Sequence, residues 1–297
     1  MRALVFGSAN IDKVYAVNHF VQAGETVASL SYEEHCGGKG FNQAIALARA
    51  GVDVCFAGAV GTDGAPLEEM LVAEGIDITH LMRRDCPTGH AIIQVIPSGQ
   101  NCIIIADGAN GTISTDDIDR ILSQFSEGDW IVLQNEISHL RHIVQRASQK
   151  GMVIALNPSP INETVLSLDL APIDCLVLNE TEGEALTGTD DPEVALEQLR
   201  SLCPNAEIVL TLGTQGGMHM SRSGNLTRYE CVTADAVDTT GAGDTFTGFF
   251  LAERMRGIEA AHALEMARHA SALSVTRHGA AGSMPHRYEV ETLMEGA

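Results

Sequence analysis

A three-layer α/β/α domain with a mostly parallel central sheet, plus a small β-sheet lid, is the fold class this sequence predicts. Three patterns carry the prediction. Short apolar runs alternate with amphipathic stretches along most of the chain, as strands and helices do when helices cover both faces of a parallel sheet. Two regions break that rhythm and alternate with the period of exposed strands. The last third reads as two long helices behind a glycine-rich turn. With 297 residues, 45% of them apolar and 19% charged, and no low-complexity tract, the chain can bury the core of one large domain, 1–297.

The apolar run 3–7 opens the sheet, and the runs 54–60, 130–134, 152–156, 174–178 and 207–212 read as further buried strands. Residues 40–51, 64–74, 115–125, 139–150, 181–187 and 193–202 carry the spacing of amphipathic helices. Ser114, with Asp117 three residues on, has the form of a helix N-cap. Connections between parallel strands are expected to be right-handed. Residues 12–17 and 26–35 alternate like exposed strands, and 90–106 reads as two strands joined by the turn Pro97-Ser98-Gly99-Gln100. These pieces flank the first helix-rich unit and are expected to form the lid, in segments 12–35 and 89–107. Residues 244–256 and 258–275 read as the two C-terminal helices.

The formal net charge is −21, with only 18 lysines and arginines and no basic run. That balance argues against a nucleic-acid partner or a membrane surface. An anionic ligand would need backbone amides, a metal ion or a few placed cations. The N-terminal apolar run is too short for a signal peptide, and no stretch approaches ~20 apolar residues, so a soluble cytoplasmic protein is expected. Seven scattered cysteines without a CxxC pair read as reduced core residues. The histidines lack ligand spacing for zinc.

The sharpest stretch is Asp238-Thr-Thr-Gly241-Ala242-Gly243-Asp244, just before an apolar helix. Small residues let several backbone N–H groups converge, and a helix N-terminus adds unsatisfied donors and partial positive charge. Such a nest suits the charge on a phosphoryl group in transfer, and a carboxylate beside it can take the proton of an attacking hydroxyl. A glycine turn with an aspartate at a helix start would leave the same pattern. The spacing is neither GxGxxG nor a Walker A loop. Gly37-Gly38-Lys39-Gly40-Phe41-Asn42 opens another helix, where Lys39 and Asn42 can donate to hydroxyls or simply sit in a solvated turn. Asn10 and Asp12 follow the first strand, where open α/β sheets bind ligands, and a capped turn is the plainer alternative.

Together these stretches resemble the ribokinase-like family of carbohydrate kinases over essentially the whole chain. The resemblance also takes in Gly108-Ala109-Asn110, Gln134-Asn135-Glu136, Asn157-Pro158, Asn179-Glu180-Thr181-Glu182, Thr211-Leu212-Gly213 and Thr276-Arg277-His278-Gly279. It implies ATP-dependent phosphorylation of a sugar, with Asp244 as the base and the amides of Gly241, Ala242 and Gly243 as the anion hole. Asn10, Asp12, Gly38, Lys39, Gly40, Asn42 and Glu136 would hold the sugar. Asn179, Thr211, Gly213, Gly216 and Gly243 would contact ATP, and Glu182 would order Mg²⁺ through water. Asp238, Thr240, Ser274, Arg277, Gly279 and Ser283 look like a monovalent-cation site, usually K⁺. The lid is expected to serve also as a homodimer interface.

Two departures stand out. Phe41 occupies a place where the family usually has a small residue, and its ring is expected to narrow or reshape the sugar pocket. Arg268-His269 stands where a small or amide side chain is usual near the adenine. Asn10 and Glu136 favour ribose over a deoxy sugar, since a missing hydroxyl would leave polar groups unpaired. The alternatives are another substrate, whether nucleoside, hexose or sugar acid, and a non-catalytic sugar sensor on the same fold. The low aromatic content, 4%, disfavours a nucleoside.

Overall fold

The computed structural model describes residues 2–296. Nine strands form the large sheet. In chain order they are β1 (Ala3–Phe6), β4 (Val54–Val60), β5 (Asp77–Arg83), β8 (Trp130–Leu133), β9 (Val153–Leu156), β10 (Cys175–Asn179), β11 (Glu207–Thr211), β12 (Gly217–Met220) and β13 (Leu226–Tyr229). The remaining four, β2 (Asn10–Ala16), β3 (Ser31–Gly37), β6 (Gly89–Val95) and β7 (Asn101–Ala106), form a separate small sheet. The large sheet runs β13-β12-β11-β10-β9-β8-β1-β4-β5, parallel except for the two antiparallel strands at the β13 edge. β1 pairs with β4 on one side and β8 on the other, so the strand order reverses beside β1. In open α/β sheets the crevice at such a reversal, outside the carboxyl ends of the strands, is where ligands bind.

Each strand of the sheet sends alternate side chains to opposite layers. Ala3 and Val5 join one apolar cluster, with α1 (Lys39–Arg49) and the two long helices near the C-terminus; Leu4 and Phe6 join the other, beneath α3 (Thr115–Leu122) and α4 (Leu140–Gln149). Between α1 and α3 lies α2 (Ala65–Ala73). Ser114 and Asp117 form a reciprocal capping box at the start of α3. Later in the chain come α5 (Glu163–Leu166), α6 (Glu180–Thr187), α7 (Pro192–Leu202), α8 (Ala242–Met255), α9 (Ala260–Ser274) and α10 (Arg287–Glu295).

Five elements escape the pattern reading, among them α5, a helix of only four residues. β5 is an edge strand whose residues are half wet, so it lacks an apolar run. β12 and β13 have four residues each and make a hairpin at the opposite edge. α10 buries only Val290 and therefore shows little periodicity. The second expected lid strand also begins later than 26, at Ser31.

Between β1 and β2 the chain crosses from the large sheet to the small one over Gly7, Ser8 and Ala9. The return from β3 to α1 is as abrupt. Gly38 lies at φ +93°, and a Cβ there would come 2.9 Å from the Asn10 amide nitrogen, so only glycine lets the two crossings lie side by side. The small sheet runs β3-β2-β6-β7. Asp12, Val14, Ala16, Ile93, Val95 and Ile103 line one side of a cleft of about 750 Å³, closed on the far side by residues 236–240 and 278–280.

Candidate active site

Asp244 lies in the first turn of α8, whose N-cap Gly241 is left-handed at φ +76°. Asp244 is 8% exposed. Asn42 Nδ2 donates to one oxygen at 3.0 Å and Gln43 Nε2 to the other at 2.9 Å. Both donors belong to α1, so the helix behind the first glycine motif aims the residue of the last one. Gln43 is itself fixed, since its Oε1 accepts from Gln134 Nε2 at 2.6 Å. Gln43 directly follows the Gly37–Asn42 motif and Gln134 belongs to Gln134-Asn135-Glu136, but sequence alone assigns neither a role. A carboxamide run at a helix start was the available signal.

The groups expected to hold a sugar converge beside this carboxylate. Glu136, after β8, accepts from the Lys39 amide at 3.0 Å and from Ser8 Oγ at 2.5 Å. Asn10 Oδ1 accepts from Asn110 Nδ2 at 2.7 Å, while Asn110 Oδ1 accepts from the Ala9 amide at 3.2 Å. Gly40 packs against the backbone of Gly7. Burial, with the charges of Glu136 and Asp244 nearby, pushes the Asp12 carboxyl up to about 7. Burial works against a charge on Lys39 as well, but the carboxylates of Asp244, Glu136 and Glu182 outweigh it and raise the ammonium above its ordinary value. Three carboxylates around one lysine can accept hydrogen bonds from several hydroxyls.

Phe41 does not join them. It is 0% exposed and sits in the apolar cluster with Ile45, Phe246 and Phe249, so its ring neither narrows nor reshapes the pocket. Its neighbours Gly40 and Asn42 face the site, and one residue's rotation on a helix is enough to send the ring inward.

A second cleft, of about 420 Å³, opens on the other side of the glycine turn. Thr211, Gly213 and Gly216 line it together with Ala242, Gly243 and Arg268. Asn179, opposite Thr211 in the register of β10 and β11, accepts from the Glu182 amide at 2.9 Å through Oδ1. Glu182 returns the bond, accepting from the Asn179 amide at 3.0 Å, and its carboxylate is 6% exposed. The pair is thus a capping box of α6, and it leaves the Asn179 Nδ2 and one Glu182 oxygen for other partners. His269 is buried on α9 and bonds the Glu265 carbonyl at 2.8 Å.

Of the residues expected to hold a monovalent cation, Asp238, Thr240 and Gly279 are joined by hydrogen bonds. Asp238 accepts from the Thr240 amide and Oγ1, at 2.9 and 2.7 Å, and from the Gly279 amide at 2.9 Å. Burial opposes ionisation of Asp238, but these bonds prevail and hold its carboxyl below the usual range. The Val237 and Asp238 amides both donate to the Val275 carbonyl, and the Arg277 amide donates to that of Ser274. Ser283 Oγ donates to the Ala280 carbonyl at 2.8 Å, whereas the Arg277 guanidinium pairs with Glu289 at 2.7 Å. No group of three or more His, Cys, Asp or Glu side chains suited to a metal occurs among the described residues.

Residues 2–287 match the family described as pfkB family carbohydrate kinase, and the chain belongs to that family. It is 36% identical to the ribokinase of Haemophilus influenzae, over 99% of this chain and 98% of that protein. It is 32% identical to the deoxyribokinase of Salmonella typhimurium, over 96% of each. The solved structure of Arabidopsis thaliana ribokinase complexed with ribose and ATP superposes with a TM-score of 0.86 at 29% identity, covering 99% of this chain and 98% of that one. The protein is a carbohydrate kinase built on the ribokinase fold.

Proposed function

We propose that this protein transfers the γ-phosphoryl group of ATP to the primary hydroxyl of a pentose, converting D-ribose to D-ribose 5-phosphate. The observation that carries the reading is Asp244, a buried carboxylate aimed by Asn42 and Gln43, in the first turn of the helix that follows the segment shared by the two clefts. Ala236 and Thr239 line both clefts. A sugar under the lid and a nucleotide along Thr211–Gly216 would approach each other across Gly241–Asp244. Asp244 would take the hydroxyl proton as the oxygen attacks, and the amides of Gly241, Ala242 and Gly243 would receive the charge of the transferring group. Asn10, Asp12, Gly38, Lys39, Gly40, Asn42 and Glu136 would hold the sugar. The three relatives named above are two ribokinases and a deoxyribokinase, all named for pentoses. Asn10 and Glu136 favour ribose over its 2-deoxy form, because each offers polar groups that a missing hydroxyl would leave unpaired.

Glu182 fits a hard divalent cation reached through water, having one oxygen in the capping box and one to spare. Mg²⁺ there would neutralise charge on the phosphates. Asp238, the carbonyls of Thr240, Ser274, Arg277 and Gly279, and Ser283 would supply the hard oxygen donors that suit K⁺, which would steady the strap that leads into the anion hole. The lid carries a second proposed role. Its exposed Tyr32 and Ile104, 46% and 59% accessible, suit a homodimer through the small sheet. A cytoplasmic location completes the reading; no helix among the described residues is long and apolar enough to cross a membrane.

The test is ADP release from ATP, with Mg²⁺ and K⁺ present, against ribose, deoxyribose, fructose, adenosine and a sugar acid. Turnover on ribose is expected, and Asp244→Ala should lower it by ~10²–10⁴ while ribose still binds. Turnover confined to another sugar would retain the kinase and discard ribose. Ribose binding without turnover would favour a sensor.

A further inference from the structure

Arg268 stands on the wall of the nucleotide cleft, on the same face of α9 as Ser271 and Ala272. Its guanidinium is anchored on two sides. Nε and Nη2 donate to the Glu265 carboxylate at 2.6–2.8 Å, and Nη1 donates to the Glu230 carbonyl at 3.1 Å. Nη1 carries a second N–H beyond that bond. One helical turn away, Ser271 Oγ donates to the Ala242 carbonyl at 3.1 Å, which ties that turn to the anion hole. Arg268 therefore lies further out, where the base would sit if the phosphates occupy 241–243.

The chemistry of the wall then bears on which base fits. Among the described residues lining the cleft, Arg268 is the one charged side chain, and no carboxylate or carboxamide side chain is present. Adenine is matched by a group that donates to N7 and accepts from the 6-amino group, as a carboxamide does. A guanidinium only donates, so the free N–H on Nη1 is complemented by a 6-oxo acceptor and not by the 6-amino group of adenine. We propose that Arg268 is a specificity-determining residue that opens the nucleotide site to 6-oxopurine triphosphates, GTP and ITP, alongside ATP. The inference rests on the kinase reading above and deepens it.

Initial rates with ATP, GTP, ITP and CTP, using the sugar that turns over with ATP, test it on the wild type, Arg268→Gln and Glu265→Gln. GTP and ITP should support turnover within about tenfold of ATP in kcat/KM, and Arg268→Gln should lower the GTP/ATP and ITP/ATP ratios by about tenfold or more. ITP lacks the 2-amino group of GTP, so its parallel behaviour excludes that group and leaves the 6-oxo edge, which adenine lacks, as the contact. Glu265→Gln, which weakens the bonds that orient the guanidinium without removing its charge, should move the ratios the same way by a smaller factor. Inert GTP and ITP beside active ATP would overturn the proposal and leave the kinase intact. Unchanged ratios in both variants, or CTP as good as GTP, would also overturn it. Silence with every nucleotide would remove the kinase reading, and this inference with it.

Discussion

Asp244 is held by two carboxamides, and one of them touches no expected substrate. Gln43 bonds Asp244 on one side and Gln134 on the other. Gln43→Ala should free one carboxylate oxygen and lower kcat by about tenfold to a hundredfold, with the sugar KM nearly unchanged, because the base loses its aim rather than its charge. Steady-state kinetics would show it, and an equal loss in Gln43→Glu, which cannot donate as an anion, would exclude a simple cavity effect. Asp12 gives a prediction in pH. With its carboxyl pushed up to about 7, the folded protein binds more protons than the unfolded chain between about pH 4 and 7, so this group's contribution to stability falls as pH rises through that window. Asp12→Asn should therefore stabilise the unliganded protein more at about pH 8 than at about pH 4, as urea denaturation would read. Sugar binding runs the other way: the carboxylate accepts from hydroxyls, so affinity should rise over the same window. Phe41 shows the limit of reading single residues. Its place in a motif is visible in sequence, but the direction of its ring is settled by where α1 packs.

The α1 and α8 pair sets the site at the next scale. Asn42 and Ala46 are one turn apart on α1, as are Asp244 and Gly248 on α8. A Cβ at Gly248 would lie 2.3 Å from the Ala46 Cβ, so the glycine sets how closely the helices cross. Gly248→Leu should cost about 1–3 kcal/mol by overpacking, and turnover should fall further than stability because Asn42 and Gln43 withdraw from Asp244. Thermal denaturation and kcat on one sample separate the two effects. The buried strands and the amphipathic helices were legible because burial on both faces writes long apolar runs. β5, β12 and β13 were not: the edge strands β5 and β13 keep residues wet, and β12, though buried, is only four residues long, as is β13. The glycine motifs announced the site, but the side-chain bonds between α1 and α8 join residues about 200 positions apart, which no local pattern encodes.

For the molecule as a whole, the small sheet turns one face to the cleft and leaves Ile104 and Tyr32 exposed. On the proposed dimer, Ile104→Asp should shift the sedimentation coefficient toward that of a monomer, while a folded monomer with unaltered mass distribution in the wild type would remove the interface. Replacing K⁺ by a large organic cation should lower turnover without unfolding the protein, if the Asp238 strap needs an ion to hold its shape.

That strap has one more consequence. Because Ala236 and Thr239 belong to both cleft walls, a ligand that stiffens the strap from one side alters the surface met by the other. The two occupancies then share a coupling free energy, and thermodynamics makes it symmetrical: whatever factor the sugar adds to nucleotide affinity, the nucleotide adds to sugar affinity. Calorimetric titrations with a non-hydrolysable nucleotide, run in either order, should close the same cycle, and the factor they return measures how much of the strap's order each substrate supplies.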